Sequence, residues 1–156
     1  MVRGNISMDS WTSGIDIFIK DYVLFPVHTG AGDHWCIAVF DVRKHTLNVY
    51  DSIPNEGRKF DILHHVRAYI REEHKSKYGL PYPYALNEDS VPDVPLQTIG
   101  FDCGVFVCQY VKAIVRGVRF NFRSKDMQII RRTMVWETAL GSIMWDHVNP
   151  DLMNAG

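Results

Sequence analysis

Cys103 stands in the string Gln97-Thr98-Ile99-Gly100-Phe101-Asp102-Cys103-Gly104, where a loop gives way to an apolar helical pattern. A helix N-terminus offers unpaired N–H groups and partial positive charge, which favour thiolate over thiol. A neighbouring imidazolium would favour the thiolate further. Gly100 and Gly104 permit a tight bend or the close approach of another backbone. Gln97 precedes the cysteine by six residues, and its side-chain NH₂ could donate to a developing oxyanion beside the Cys103 backbone N–H. The competing reading is that Cys103 is a small core residue, the usual fate of a free cysteine. This string alone supports both readings equally.

A second constellation lies in the segment from Asp33 to Asp51. If Asp41 to Lys44 form a hairpin loop, Phe40 pairs with His45, and the same register carried outward sets His34 opposite Asp51. Directly opposed residues share a face, with Cβ atoms about 4.5–5.5 Å apart. A carboxylate there accepts a hydrogen bond from the imidazole, fixes its tautomer and stabilises the imidazolium. A loop one residue longer or shorter breaks the register unless a bulge restores it. The alternative is a surface histidine and a turn aspartate meeting by chance.

The elements that must position these groups follow from pattern. The stretch 21–28 is rich in strand-forming residues, with Pro26 pointing to a sheet edge or an irregularity. Gly30 and Gly32 mark a loop. The stretch 35–40 is apolar at every position and reads as a central strand covered on both faces. Residues 46–50 alternate as a half-buried strand does. Phe60, Leu63, Val66 and Ile70 mark one face of a helix ending near Gly79. Residues 80–95 are proline-rich and predict an extended, irregular connection. From Cys103 a second helix carries Val107, Val111 and Ile114 at helical spacing beside Phe106 and Tyr110. A third starts at Ser124, an N-cap type, with Asp126 in its first turn, and runs through Met127, Ile130, Met134 and Trp136. Helices around a small sheet give an α+β domain.

The 156 residues fit one domain, and a composition 46% hydrophobic and 12% aromatic fills a single core. A formal net charge of -1 gives no global attraction to nucleic acid or anionic membrane. No apolar run approaches the ~20 residues needed to span a bilayer. The first five residues lack the apolar stretch of a secretory signal. Three cysteines are too few, and odd in number, for a disulfide framework, and they suit a reducing compartment. Cys36 in the central strand and Cys108 in an apolar helical turn read as core. Cys103 and Cys108 do not share a helical face, and His64 and His65 are adjacent, so a metal site is not expected. The arginines at 116, 119, 123, 131 and 132 read most simply as a solvated face.

Four stretches, in order, resemble the SUMO-specific (sentrin-specific) protease family. Trp11-Thr12, Asp16-Ile17-Phe18 and the stretch 23–28 resemble the approach to the family's catalytic histidine. His34-Trp35-Cys36-Ile37-Ala38-Val39 resembles the histidine strand, and Tyr50-Asp51-Ser52 the strand carrying the acid. Gln97 to Gly104 resembles the nucleophile loop. Asp126-Met127 with the stretch 131–137 resembles the terminal helix, and the likeness runs from about residue 11 to residue 145.

The resemblance implies an α+β, papain-like cysteine protease architecture, a small mixed sheet flanked by helices. It implies a triad of His34, Asp51 and Cys103, with Gln97 as oxyanion donor and Trp35 as a wall of the tunnel that admits the modifier's Gly-Gly tail. The activity implied is cleavage after the C-terminal Gly-Gly of SUMO, by deconjugation or precursor maturation, with no cofactor and no metal. The implied partners are SUMO or SUMO-conjugated proteins, without nucleic acid or membrane, and the implied state is a monomer in the nucleus, or else the cytoplasm. Family domains begin upstream of this chain's start, with helices and a second tunnel tryptophan. The expected organisation is therefore a poorly ordered start (1–10), a partial catalytic domain (11–148) and a tail (149–156). Two alternatives stay open: a truncated modifier-binding module with little or no turnover, and a protease for another ubiquitin-like modifier such as NEDD8.

Overall fold

The computed structural model describes residues 12–30, 33–89 and 93–144, so the expected poorly ordered start and tail lie outside the described residues. Three strands form an antiparallel sheet in the order β1 (Tyr22–Thr29), β2 (His34–Asp41), β3 (Thr46–Tyr50). Pro26 lies on β1, an edge strand, where its missing N–H costs no ladder bond on the open side. The apolar run 35–40 supplies the central strand, and Cys36, Ile37, Ala38, Val39 and Phe40 are all buried. Helix α1 (Glu56–Tyr78) covers one face of the sheet through Ile62, Leu63, Val66 and Ile70, against Cys36, Ala38, Phe40 and Leu47. Helices α2 (Cys103–Arg116) and α3 (Met127–Leu140) cover the other, against Ile37, Val39 and Tyr50.

Several expectations shift in detail. Phe60 does not join the buried stripe of α1 and is 68% exposed; Ile62 takes its place. On α2 the innermost side chains are Val105, Phe106, Tyr110 and Ala113, while Val107, Val111 and Ile114 are partly buried at the flank. Trp136 on α3 is exposed. Ser124 opens a short 3₁₀ turn, Ser124–Asp126, rather than capping α3, and Asp126 accepts from the Arg123 N–H. The proline-rich connection lies along β3: Leu47 N–H donates to Asn87 O at 2.8 Å, and a parallel bridge joins Thr46 and Asn87. The sheet is antiparallel in all its strands rather than mixed as expected, and the isolated bridge covers part of the open β3 edge.

The hairpin register differs from the expected one by two residues. Phe40 pairs with Leu47, not His45, because the loop is Val42–His45, flanked by the pair Asp41–Thr46. His45 closes that turn in the left-handed region (φ 57), and Asp41 Oδ1 accepts from Lys44 N–H at 3.0 Å. A two-residue slip preserves the alternation of faces. His34 and Asp51 therefore stay on the α1 side, diagonal to one another rather than opposed.

Candidate active site

The diagonal offset is bridged by side chains. His34 Nε2 and Asp51 Oδ1 lie 2.6 Å apart, and both side chains are about nine-tenths buried. Asp51 Oδ1 also accepts from the Ile53 N–H at 2.9 Å. Its other oxygen, Oδ2, takes both Nε (2.9 Å) and Nη2 (2.6 Å) of Arg58. Arg58 Nη2 further donates to the Ile53 carbonyl. The carboxylate thus takes four hydrogen bonds, and the imidazole it holds has Nε2 committed, leaving Nδ1 as the second ring nitrogen.

Arg58 escaped the sequence reading, yet a signal was present. Asn55 caps α1 by accepting from the Arg58 N–H at 2.9 Å, so Arg58 sits in the first helical turn. A cation there opposes the helix dipole. Only a nearby carboxylate makes that placement favourable, and Asp51 is seven residues upstream.

Cys103 is the first residue of α2, is 5% exposed, and lies with its Sγ 3.9 Å from the carbonyl of Asp33, the residue before His34. The end of β2 and the N-terminus of α2 thus converge. Asp33 itself has φ 48, a left-handed conformation that aspartate tolerates better than most residues. Asp102, at the cap position of α2, makes no capping bond with its side chain. It is buried instead against Arg131 of α3, whose Nη2 donates to Asp102 Oδ1 (2.8 Å) and to the Phe101 carbonyl (2.8 Å). Arg131 therefore holds the loop that leads into Cys103 and is no part of a purely solvated face.

Gln97 is fixed at both ends of its amide. Ser52 Oγ donates to Oε1 at 2.6 Å, and Nε2 donates to the Ile99 carbonyl at 2.9 Å. Gln97 N–H also donates to the Ser52 carbonyl at 3.0 Å. One amide proton is spent within the loop; the second remains. Thr98 is tied to Ser124 Oγ through its backbone N–H (3.0 Å) and its hydroxyl (2.8 Å). Around these anchors Leu96, Ile99 and Phe101 are exposed, Phe101 by 76%.

Trp35 follows His34 on the alternate face, is 42% exposed and packs on the His28 ring at 4.8 Å, so it is not a core residue. Cys36 is fully buried, and burial first, then the Asp51 charge, pushes its thiol up to about 12. Cys108 departs from expectation: it is exposed, on the rim of an apolar groove of about 670 Å³ between the sheet and α2/α3. Partial desolvation by its neighbours, then the Glu137 charge, raises its thiol, so exposure there does not bring activation.

A cysteine at a buried helix N-terminus, set against a sheet whose end carries a linked histidine and aspartate, is the architecture of a cysteine protease domain. The match to the Ulp1 protease family, C-terminal catalytic domain, spans residues 3–140, and the chain belongs to that family. A sentrin-specific protease of Caenorhabditis elegans is 35% identical over 136 residues, covering 86% of this chain and 19% of the relative. Human sentrin-specific protease 2 is 30% identical over 137 residues, covering 86% and 23%. This chain thus spans about one fifth of the length of these curated relatives. Among solved structures, the C-terminal Ulp1 protease domain in complex with Smt3, the yeast ortholog of SUMO, matches with a TM-score of 0.64 at 26% identity, covering 81% of this chain and 56% of that one. The Ulp1 SUMO protease with its catalytic cysteine oxidised to a sulfenic acid matches with a TM-score of 0.70 at 26% identity, covering 89% and 63%.

Proposed function

We propose that the chain is a thiol protease that cleaves after the C-terminal Gly-Gly of SUMO, with Cys103 as nucleophile, His34 as general acid–base and Asp51 as the group that orients His34. The observation that carries this reading is the 2.6 Å His34–Asp51 contact placed one residue from the carbonyl that touches the Cys103 sulfur. With Nε2 bound to Asp51, Nδ1 is the nitrogen left for the thiol. The α2 N-terminus supports negative charge on the sulfur.

The roles then follow. The thiolate attacks the carbonyl carbon of the terminal glycine, and the oxyanion accepts from the Cys103 N–H and the remaining Nε2 proton of Gln97. Collapse of the tetrahedral species expels the amine, which takes its proton from the His34 imidazolium. Water, deprotonated by His34, then hydrolyses the thioester. Trp35, exposed beside His34, serves as a wall that passes glycine backbone and rejects larger side chains. The SUMO assignment is supported by family membership and by the likeness to the Ulp1 domain solved with Smt3.

The test is to incubate the chain with SUMO, and in parallel NEDD8, each bearing a C-terminal electrophile. A covalent adduct with SUMO that disappears in Cys103→Ser and falls at least ~100-fold in rate in His34→Ala is the expected result. A folded, monodisperse sample that forms no adduct with either probe refutes the proposal; an adduct with NEDD8 alone reassigns the modifier.

A further inference from the structure

Ser52 is 2% exposed, and among the described residues its hydroxyl hydrogen-bonds to the Gln97 side-chain amide. The amide of Gln97 has an oxygen end and a nitrogen end, and its neighbours tell them apart. The Ile99 carbonyl, 2.9 Å away, can only accept, so the nitrogen must face it. The opposite end is then Oε1, which can only accept, so the Ser52 hydroxyl 2.6 Å away must donate. The paired backbone bond, Gln97 N–H to Ser52 O at 3.0 Å, holds the two residues together independently of the side chains.

We propose that Ser52 is a positioning residue for the reaction: its hydroxyl donor locks the Gln97 amide in the one orientation that leaves an Nε2 proton for the oxyanion. This rests on the role assigned to Gln97 above. Flipping the amide would set Oε1 against the Ile99 carbonyl, two acceptors face to face, and would present an acceptor to the developing negative charge. Ser52 removes the incentive to flip by satisfying Oε1 where it stands. The dipeptide Asp51-Ser52 thus orients the base from one residue and the oxyanion donor from the next.

Removing an oxyanion donor outright lowers kcat by roughly 10²–10³. Loss of Ser52 leaves Ile99 still favouring the correct orientation, so a smaller fall of about 10-fold is expected. The experiment measures kcat and KM on SUMO carrying a C-terminal fluorogenic amide for wild type, Ser52→Ala, Gln97→Ala and the double variant. Labelling of Cys103 by iodoacetamide, which needs no oxyanion donor, reports an intact site in each. The expected result is a kcat loss without a KM change in both single variants, an unchanged labelling rate, and a double variant no slower than Gln97→Ala alone. Ser52→Thr, which keeps the hydroxyl, should retain most of the activity. It also serves if Ser52→Ala fails to fold, since a folded Ser52→Thr with a kcat about 10-fold or more below wild type would overturn the proposal. Losses that multiply in the double variant, or a Ser52→Ala enzyme at wild-type kcat, overturn it as well. A wild-type chain with no Cys103-dependent turnover would instead sink the functional reading, and this inference with it.

Discussion

Replacing Arg58 by alanine isolates the least anticipated part of the site. Arg58 supplies two charge-assisted bonds to Asp51 Oδ2, and the Asp51 side chain is only 10% exposed, so water cannot fully replace them. Hydrogen bonds to charged groups contribute about 1.5–3 kcal/mol each. Two bonds from one guanidinium are not independent, which sets the expected loss at about 2–4 kcal/mol. For a domain of this size each kcal/mol shifts Tm by roughly 2–4 °C, so Tm should fall by about 5–15 °C. The matched control is Arg43→Ala: Arg43 also pairs with an aspartate, Asp21, but both side chains are more than half exposed. Exposed pairs contribute about 0.2–1 kcal/mol, and that variant should melt within about 4 °C of wild type. Under the proposed mechanism the pairing also matters for turnover. Asp51 freed from Arg58 no longer holds His34 at one angle, and misplacement of about 1 Å costs on the order of 100-fold in rate. Arg58→Lys keeps the charge without the planar fork and should fall between. Calorimetry on the three variants, with turnover of the SUMO substrate, gives the answer. An Arg58→Ala protein that melts with Arg43→Ala and turns over at the wild-type rate refutes the account of Asp51 given above.

Packing on α1 gives a second check: Ile70→Ala should destabilise by about 2–5 kcal/mol, since Ile70 is fully buried. Phe60→Ala should stay within about 0.5 kcal/mol, since Phe60 is 68% exposed; equal losses in urea unfolding would contradict the assigned helix face. A third concerns alkaline pH. The Cys36 thiol is raised from 9.0 to about 12, so the unfolded chain ionises while the folded one does not. Its stabilising contribution is complete below about 9 and is lost as pH climbs from 9 towards 12. Tyr50, raised from 10.0 to about 12 by burial, adds a decline of the same sign. Cys36→Ala should flatten part of the slope of unfolding free energy between pH 9 and 10.5; an unchanged slope would show that the thiol is not desolvated.

Much of the fold was legible because local patterns and global packing agree. The unbroken apolar run 35–40 becomes the central strand, and Gly79 ends α1 at φ 71 in the left-handed conformation that a C-terminal glycine serves. What failed were choices between neighbouring residues on a face. Spacing admits Phe60, Ile62 and Leu63 as starts of the α1 stripe, and only the position of the sheet decides among them. The His34–Asp51 pairing was reached through a wrong register. It survived because an error of two residues conserves the face, and because both side chains are long enough to close a diagonal gap. The role of Arg131 was hidden for another reason: it binds a carboxylate from a different element, and sequence spacing holds no record of such a partner.

The nucleophile loop shows what those hidden contacts accomplish. A surface proposed to receive another chain must stay exposed, and Leu96, Ile99 and Phe101 are exposed. Exposure removes the apolar packing that ordinarily makes a segment rigid, yet Cys103 has to be held against the Asp33 carbonyl. Three side chains from outside the loop resolve the conflict: Ser52 at Gln97, Ser124 at Thr98, and Arg131 at Phe101 and Asp102. Each binds a polar group of the loop and leaves the apolar side chains facing out. Rigidity and exposure are thereby assigned to different atoms of the same six residues, which is why α3, with no residue in the proposed triad, belongs to the candidate site.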